Sequence, residues 1–355
     1  MSKFVKFSEI KQFRNVVQDL KHQVQFIEYN EEQQKPIYDW TIKMPKIKVI
    51  GSEKIHGTNL GIGFNMQFGF WVQSKKDTIN QNKDNAAAAF HAEQNKEIWI
   101  DIIQLLANEY NINLHQYKIV VFAEWCGDGI QDKTAVQGLD KRAIIFQHFC
   151  AVDKENSEDK RWFETKINNK WIDNKTYNIF NIMNFPIYQM EIDFENPQLY
   201  QNKMIEIVEK IEENSPVGQQ FGIQNNIAEG VVWTFMYDGN LYRWKVKGEK
   251  HSKSKIKKLQ KVDNKKIQKI IDIANQVTPA WRLEQFFTEV NDILNNGIPN
   301  IKNLGEFIKE INKDIIKEES DVIAEAKLEP KDVFKYTGKI CADWYKDYLD
   351  KTLMN

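Results

Sequence analysis

The chain has 355 residues, with 49 basic against 50 acidic side chains and a formal net charge of −1, which excludes a uniformly basic nucleic-acid coat but not a local basic groove. Hydrophobic residues at 42% and aromatics at 12% exclude a disordered chain, and the length suits one large domain or two ordinary ones. No run of about 18 apolar residues is present, Met1-Ser2-Lys3-Phe4-Val5-Lys6 lacks a secretory core, and Cys126, Cys150 and Cys341 have no metal-ligand spacing. The expectation is an intracellular protein with no membrane span, structural zinc or disulfide framework.

The first 40 residues mix short helical patterns with a polar stretch from Asn30 to Lys35. From Lys46 the pattern turns to strands. Ile47, Val49 and Ile55 alternate with polar neighbours, as do Leu60, Ile62 and Phe64 before a turn at Asn65-Met66-Gln67, and Gly69 to Ser74 is the returning strand. Residues 85–107 have helical spacing, with Asp84 as cap. Strands resume at 119–124 and 143–146, with further pieces near Trp162, Trp171 and Ile187. A helix over 198–211 precedes strands over 228–235 and 240–247, joined by the hairpin-type turn Tyr237-Asp238-Gly239. Beyond about Lys261 the periodicity is helical to the end, through Ile267, Ile270, Phe287, Val290 and Leu294. The fold class expected is α+β, in two domains: a mixed domain over 1–260 and a small all-α domain over 261–355.

Four segments carry chemistry. In Glu53-Lys54-Ile55-His56-Gly57-Thr58-Asn59, a lysine at a strand end is suited to covalent catalysis, and the glycine lets a ligand approach the backbone. Glu124 ends an apolar strand before Trp125-Cys126-Gly127, where a carboxylate can hold a ribose hydroxyl or a hydrated metal. Glu229, beside Gly230 at the start of a strand, suits a metal or base role. Lys245 and Lys247 share one strand face, where two ammonium groups repel unless an anion such as phosphate lies between them. Each has an ordinary structural counterpart, from a solvated strand-end glutamate to gatekeeper lysines on an edge strand.

Taken in order, Lys54-Ile55-His56-Gly57, Ser74-Lys75, Glu124, Glu229-Gly230 and Lys245-Val246-Lys247 resemble the motif series of the covalent nucleotidyltransferases, the superfamily of ATP-dependent DNA ligases, RNA ligases and capping enzymes. His56, where DNA ligases and capping enzymes usually carry Asp, and Thr58-Asn59 make it similar to the RNA ligase 2 family. The resemblance covers about residues 46–250, and a helical C-terminal domain is also that family's arrangement. It implies a nucleotidyltransferase domain of antiparallel sheets with flanking helices, and an ATP-dependent RNA ligase working through lysyl-AMP and RNA-adenylate.

By the same resemblance, Lys54 is the nucleophile and His56 lies near the leaving pyrophosphate or the sealing site. Glu53 belongs to the ATP site, and Glu124 holds the ribose. Glu229 positions hydrated Mg²⁺ or Mn²⁺, with Asn59 and Glu124 acting on the metal through water. Lys245 and Lys247 contact the α-phosphate. The aromatic that stacks on adenine falls within Phe146-Gln147-His148-Phe149-Cys150, with Phe149 favoured and Phe146 the alternative. Two departures stand out: Lys75-Lys76 occupy a place where arginine is frequent, losing bidentate phosphate recognition, and Cys150 replaces the family's Asp, a role open to Asp153.

The implied partner is RNA with 3′-hydroxyl and 5′-phosphate ends at nicks in a duplex, bound by a monomer, with the helical domain engaging the RNA ends. Lys75, Arg243, Lys250, Lys253 and Lys255 are candidate RNA contacts, since Arg243 to Lys261 holds nine basic side chains against one acidic. The alternatives are a DNA ligase-like or capping-type enzyme, or an inactive RNA-binding protein. His56, and the lack of a recognisable OB-fold after Lys247, weigh against the first two.

Overall fold

A computed structural model describes residues 2–131, 134–224, 226–248, 261–295 and 298–354. After an extended N-terminal segment come helix α1 (Phe13–Val24) and strands β1 (Phe26–Asn30), β2 (Lys35–Tyr38), β3 (Lys46–Glu53), β4 (Thr58–Asn65), β5 (Gly69–Gln73) and β6 (Thr78–Ile79). Helices α2 (Ala88–Gln94) and α3 (Lys96–Glu109) lead to β7 (Tyr117–Cys126), β8 (Arg142–Ile145), β9 (His148–Asp153) and β10 (Lys160–Glu164). Short strands β11 (Lys166–Ile167), β12 (Lys170–Trp171) and β13 (Ile179–Asn181) follow, then β14 (Ile187–Asp193), α4 (Gln201–Glu213) and α5 (Pro216–Gln220). The hairpin β15 (Gly230–Tyr237) and β16 (Asn240–Lys247) precedes four helices: α6 (Asn264–Val277), α7 (Ala280–Asn295), α8 (Leu304–Glu325) and α9 (Pro330–Met354).

The architecture is α+β, with largely antiparallel sheets followed by helices. It divides into two compact units that are discontinuous in sequence. One takes residues 1–16, 47–192 and 203–259, the other 17–46, 193–202 and 260–355. No helix among the described residues is long and apolar enough to cross a membrane.

The first unit contains two main sheets and the small β11–β12 ribbon. The larger runs β10-β9-β7-β4-β5-β6, with β8 and β13 off that path, and the smaller runs β14-β3-β15-β16. Period-two alternation sorts the long central strand β7. Ile119, Val121, Ala123 and Trp125 pack with Trp99, Ile103 and Leu106 of α3. Val120 and Phe122 face the other way, against Val5 and Phe7 of the N-terminal segment. Each large apolar side chain buried so contributes about 1.5–3 kcal/mol.

The helix expected over 85–107 is two helices. Asn95 breaks it by turning its carboxamide onto His91 O at 2.9 Å, a local side-chain bond that competes with the helical ladder. Asp84 does cap the start, accepting from the Ala89 N–H at 2.7 Å and the Phe90 N–H at 3.0 Å. The β15–β16 turn places Asp238 at φ 46° and Gly239 at φ 74°, a primed turn whose twist suits a two-residue hairpin. The polar stretch 30–35 is the tip of a hairpin between β1 and β2, which the alternation of the sequence does not announce.

In the second unit α6–α9 bury Phe287, Phe307, Ile311 and Tyr345. Tyr345 sits at its centre, its hydroxyl donating to Asn300 O at 2.8 Å, as a buried phenol requires.

Candidate active site

Lys54 stands at the end of β3, its backbone N–H donating to Gly230 O at 2.8 Å. Glu229 immediately precedes β15, and Lys247, paired in register with Gly230, closes β16. Adjacent strands thus bring together residues some 175 positions apart. Lys54 Nζ donates to Glu229 Oε2 at 2.6 Å, His56 Nδ1 meets the same oxygen at 2.9 Å, and Lys247 Nζ is ion-paired with Oε1.

Burial alone would raise the Glu229 carboxyl, which is 3% exposed. The His56 hydrogen bond, the Lys54 charge and the Lys247 hydrogen bond outweigh it and hold the group well below the usual carboxylate range.

Glu124 lies on the β7 face shared with Val120 and Phe122, opposite Asn59 of β4. Its Oε1 accepts the Gly57 N–H at 3.1 Å. Burial pushes its carboxyl up to about 7 against the opposing charge of Lys54, with the Glu229 charge adding to the rise. Gly57 is required here, because a Cβ would overlap the Trp125 carbonyl oxygen and crowd Glu124 Cγ. Gly230 is held at φ 151° with its α-carbon against the Val246 carbonyl, a second place where a side chain cannot fit.

Lys245 faces the same cluster. Its amine is shifted below the ordinary lysine range by burial first, then by the charges of Lys247, Lys54 and exposed Lys75. Four cations in mutual electrostatic range define a place for a polyanion.

Beside Lys54 opens a cleft walled by Phe7, Ile10, Phe146 and Ile182, with Glu53, Glu124, Gln147, Thr234 and Arg243 also lining it. Glu53 turns inward, its carboxylate accepting from Ser215 Oγ at 2.7 Å and Val217 N at 2.9 Å, and burial pushes it up to about 7. Thr234 Oγ1 donates to Gln147 Oε1 at 2.6 Å.

Of the aromatic alternatives, Phe146 lines the cleft, 5.4 Å from the Phe7 ring. Phe149 does not. It has the opposite parity on β9 and is fully buried towards α3, stacked on Phe163 at 5.4 Å.

Arg243 is corrected as an RNA contact. It is 7% exposed, with its guanidinium 4.2 Å over the Phe7 ring and donating to Ser8 O at 3.2 Å, so it secures the N-terminal segment instead of meeting solvent. Lys75 is exposed beside the lysine cluster. Lys250, Lys253 and Lys255 lie outside the described residues.

Phe7, Ile10, Gln147, Thr234 and Ser215 belong to no motif, and the sequence alone does not single them out. The one available signal was the alternation that separates Phe146 from Phe149.

Among the described residues no trio of His, Cys, Asp and Glu forms a metal cage. The donors present fit a hydrated divalent ion. Asn59 Oδ1 is buried without a hydrogen-bond partner among the described residues, directly across the strand from the Glu124 carboxylate, and Glu229 supplies a second. Magnesium characteristically keeps several waters and uses one or two carboxylates together with substrate phosphates.

The family model for RNA ligase matches residues 47–247, which contain every motif residue described above. No curated protein matches the chain. Among solved structures, a point variant of the Naegleria gruberi RNA ligase with AMP and Mn is 14% identical with a TM-score of 0.41, over 71% of this chain and 58% of that one. The same ligase with PPi is 13% identical with a TM-score of 0.41 over the same shares. Another variant, with ATP and Mn, is 13% identical with a TM-score of 0.42, over 72% and 59%. The chain therefore spans somewhat under three fifths of the length of these proteins.

Proposed function

The chain belongs to the RNA ligase family, and from that membership we propose that it is an ATP-dependent RNA ligase joining 3′-hydroxyl to 5′-phosphate ends, at nicks in duplex RNA. The observation that carries this reading is the convergence of Lys54, His56, Glu229 and Lys247 in one hydrogen-bonded cluster, with Glu124 and Lys245 beside it.

In the proposed cycle ATP enters the cleft with adenine against Phe146, and Glu124 accepts from a ribose hydroxyl. The triphosphate then draws on Lys75, Lys245 and Lys247. Lys54 Nζ, aligned by Glu229 and deprotonated as it reacts, forms a bond to the α-phosphorus while the bond to pyrophosphate breaks. The adenylate passes to an RNA 5′-phosphate, and a 3′-hydroxyl displaces AMP to seal the strand. Each step is a phosphoryl transfer, so the protein contributes chiefly alignment and charge stabilisation. Glu229, Asn59 and Glu124 would hold a hydrated Mg²⁺ or Mn²⁺, which when bound supplies charge neutralisation at the phosphates.

The test is incubation with α-labelled ATP or GTP and Mg²⁺, followed by a denaturing gel. Covalent label from ATP that Lys54→Ala abolishes is expected. Label from GTP alone would mean a capping-type enzyme, and no label would leave an inactive RNA-binding protein. Sealing of nicked duplex RNA faster than of single strands or nicked DNA is the second expectation, and equal rates on all three would remove the duplex-RNA preference.

A further inference from the structure

We propose that a cleft of about 410 Å³ in the second unit binds an unpaired nucleotide of an RNA strand, with its base stacked on Trp40 and its phosphate held by Lys346 and Lys35. This rests on the ligase reading only for the identity of the strand. The cleft lies between β2 with the turn after it and the C-terminal half of α9, and its size falls within the range of small-ligand sites.

Two rings form its wall. Tyr38 and Trp40 are 4.8 Å apart with their planes inclined by 30°. Lys346 Nζ lies 4.7 Å over the Trp40 ring and Lys21 Nζ 5.1 Å from it. Lys21 is committed to Asp343 at 2.8 Å, whereas Lys346 makes no ion pair among the described residues and Lys35 makes none at contact distance, though it lies within the electrostatic reach of Asp350. An indole face covered by an uncommitted ammonium selects its ligand. A cation would be repelled. A purely aliphatic segment would cover Lys346 without giving it a counter-charge. A nucleotide satisfies both features, since its base replaces the ammonium on the indole and its phosphate receives the displaced charge. Asp350, on the same wall as Lys346, adds an acceptor for an exocyclic amino group of the base.

The cleft also accounts for the hairpin that the sequence left unexplained. β2 and the turn after it carry Lys35, Tyr38 and Trp40 as one edge of the site.

The test uses the full chain and a short fluorescein-labelled single-stranded RNA, followed by anisotropy over a salt series. Trp40→Ala should weaken binding by about ten-fold, and Trp40→Phe should restore most of it. Lys35→Gln with Lys346→Gln should flatten the slope of log affinity against log salt by about one unit. Halogenated-uridine photocrosslinks should map to Tyr38 or Trp40. Lysyl-AMP formation should be unchanged in every variant. Crosslinks confined to other segments, or Trp40→Ala and the double lysine variant both binding like the wild type, would overturn the proposal. If Trp40→Ala fails to fold, the lysine variant and the crosslink map decide. Absence of lysyl-AMP in the wild type would remove the ligase reading and leave the RNA-binding comparison to decide the cleft. Its presence together with wild-type RNA binding by the variants would remove the cleft alone.

Discussion

Glu229 presents two oxygens to Lys54, His56 and Lys247, and those contacts keep it ionised despite burial. Its replacement by Ala would leave Lys54 and Lys247 clustered without a counter-charge and His56 without its hydrogen-bond partner. Breaking a fully buried pair costs about 3–5 kcal/mol, and partial exposure of the lysines reduces that, so a loss of about 2 kcal/mol in denaturant unfolding is expected, along with loss of lysyl-AMP. Glu53 behaves oppositely. Its folded value of about 7 lies above the ordinary glutamate value near 4.3, so the native state holds the extra proton between the two. Stability is therefore greatest below the unfolded value and falls as pH rises through about 7, by up to about 3 kcal/mol. Glu53→Gln should flatten the fall in thermal midpoint between pH 5 and about 7.5, and an unchanged slope would mean that another group titrates there. At this scale the motif residues were legible, because their chemistry is carried by type and order. Phe146 and Arg243 were not, since the side of a strand or the ring over a guanidinium is set by neighbours distant in sequence.

The element that sets the site is the junction from β3 to β4. β3 presents Lys54, the following turn presents His56, and Gly57 passes against β7 so closely that its N–H reaches Glu124. Gly57→Ala would separate β4 from β7 at that point and tilt Lys54 relative to Glu229. Displacement of a reacting group by about 1 Å can cost about a hundred-fold, so lysyl-AMP formation should fall by that order while the fold persists. Near-normal labelling of this variant would show that the close approach is not needed. The N-terminal segment is the second such element. Gln73 brackets Val5, accepting its N–H at 3.1 Å and donating to its carbonyl at 2.7 Å, which carries Phe7 and Ile10 into the cleft wall. Nothing in the spacing of residues 2–11 marks them as part of this cleft wall. Their partners Gln73, Arg243 and Phe146 lie on three separate strands or their connections.

For the whole molecule, near-neutral charge reflects segregation. Arg243 to Lys261 is strongly basic, and Glu306 to Asp332 carries nine acidic side chains against five lysines. The compact unit that holds α6–α9 also takes residues 17–46 and 193–202, so it is not continuous along the chain. Ending the chain at 260 should leave lysyl-AMP formation intact and abolish transfer to nicked RNA. It should also increase binding of a hydrophobic dye, because Tyr38 and Trp40 lose the α9 side of their cleft. Unaffected sealing would sink the assignment of RNA engagement to this unit.

The sequence by itself determined the fold class, most of the strands and helices beyond Lys46, the family, and the charged motif residues that the fold brings together. Periodicity and motif order are properties of the chain read one residue after another. Only the tertiary structure decided that Phe146 and not Phe149 faces the cleft, that Arg243 is an internal clamp, that Phe7 lines the cleft beside Lys54, and that the N-terminal hairpin sides with the helices. Those outcomes depend on which faces meet across strands, and that is fixed by burial and hydrogen bonding between residues that the sequence places far apart.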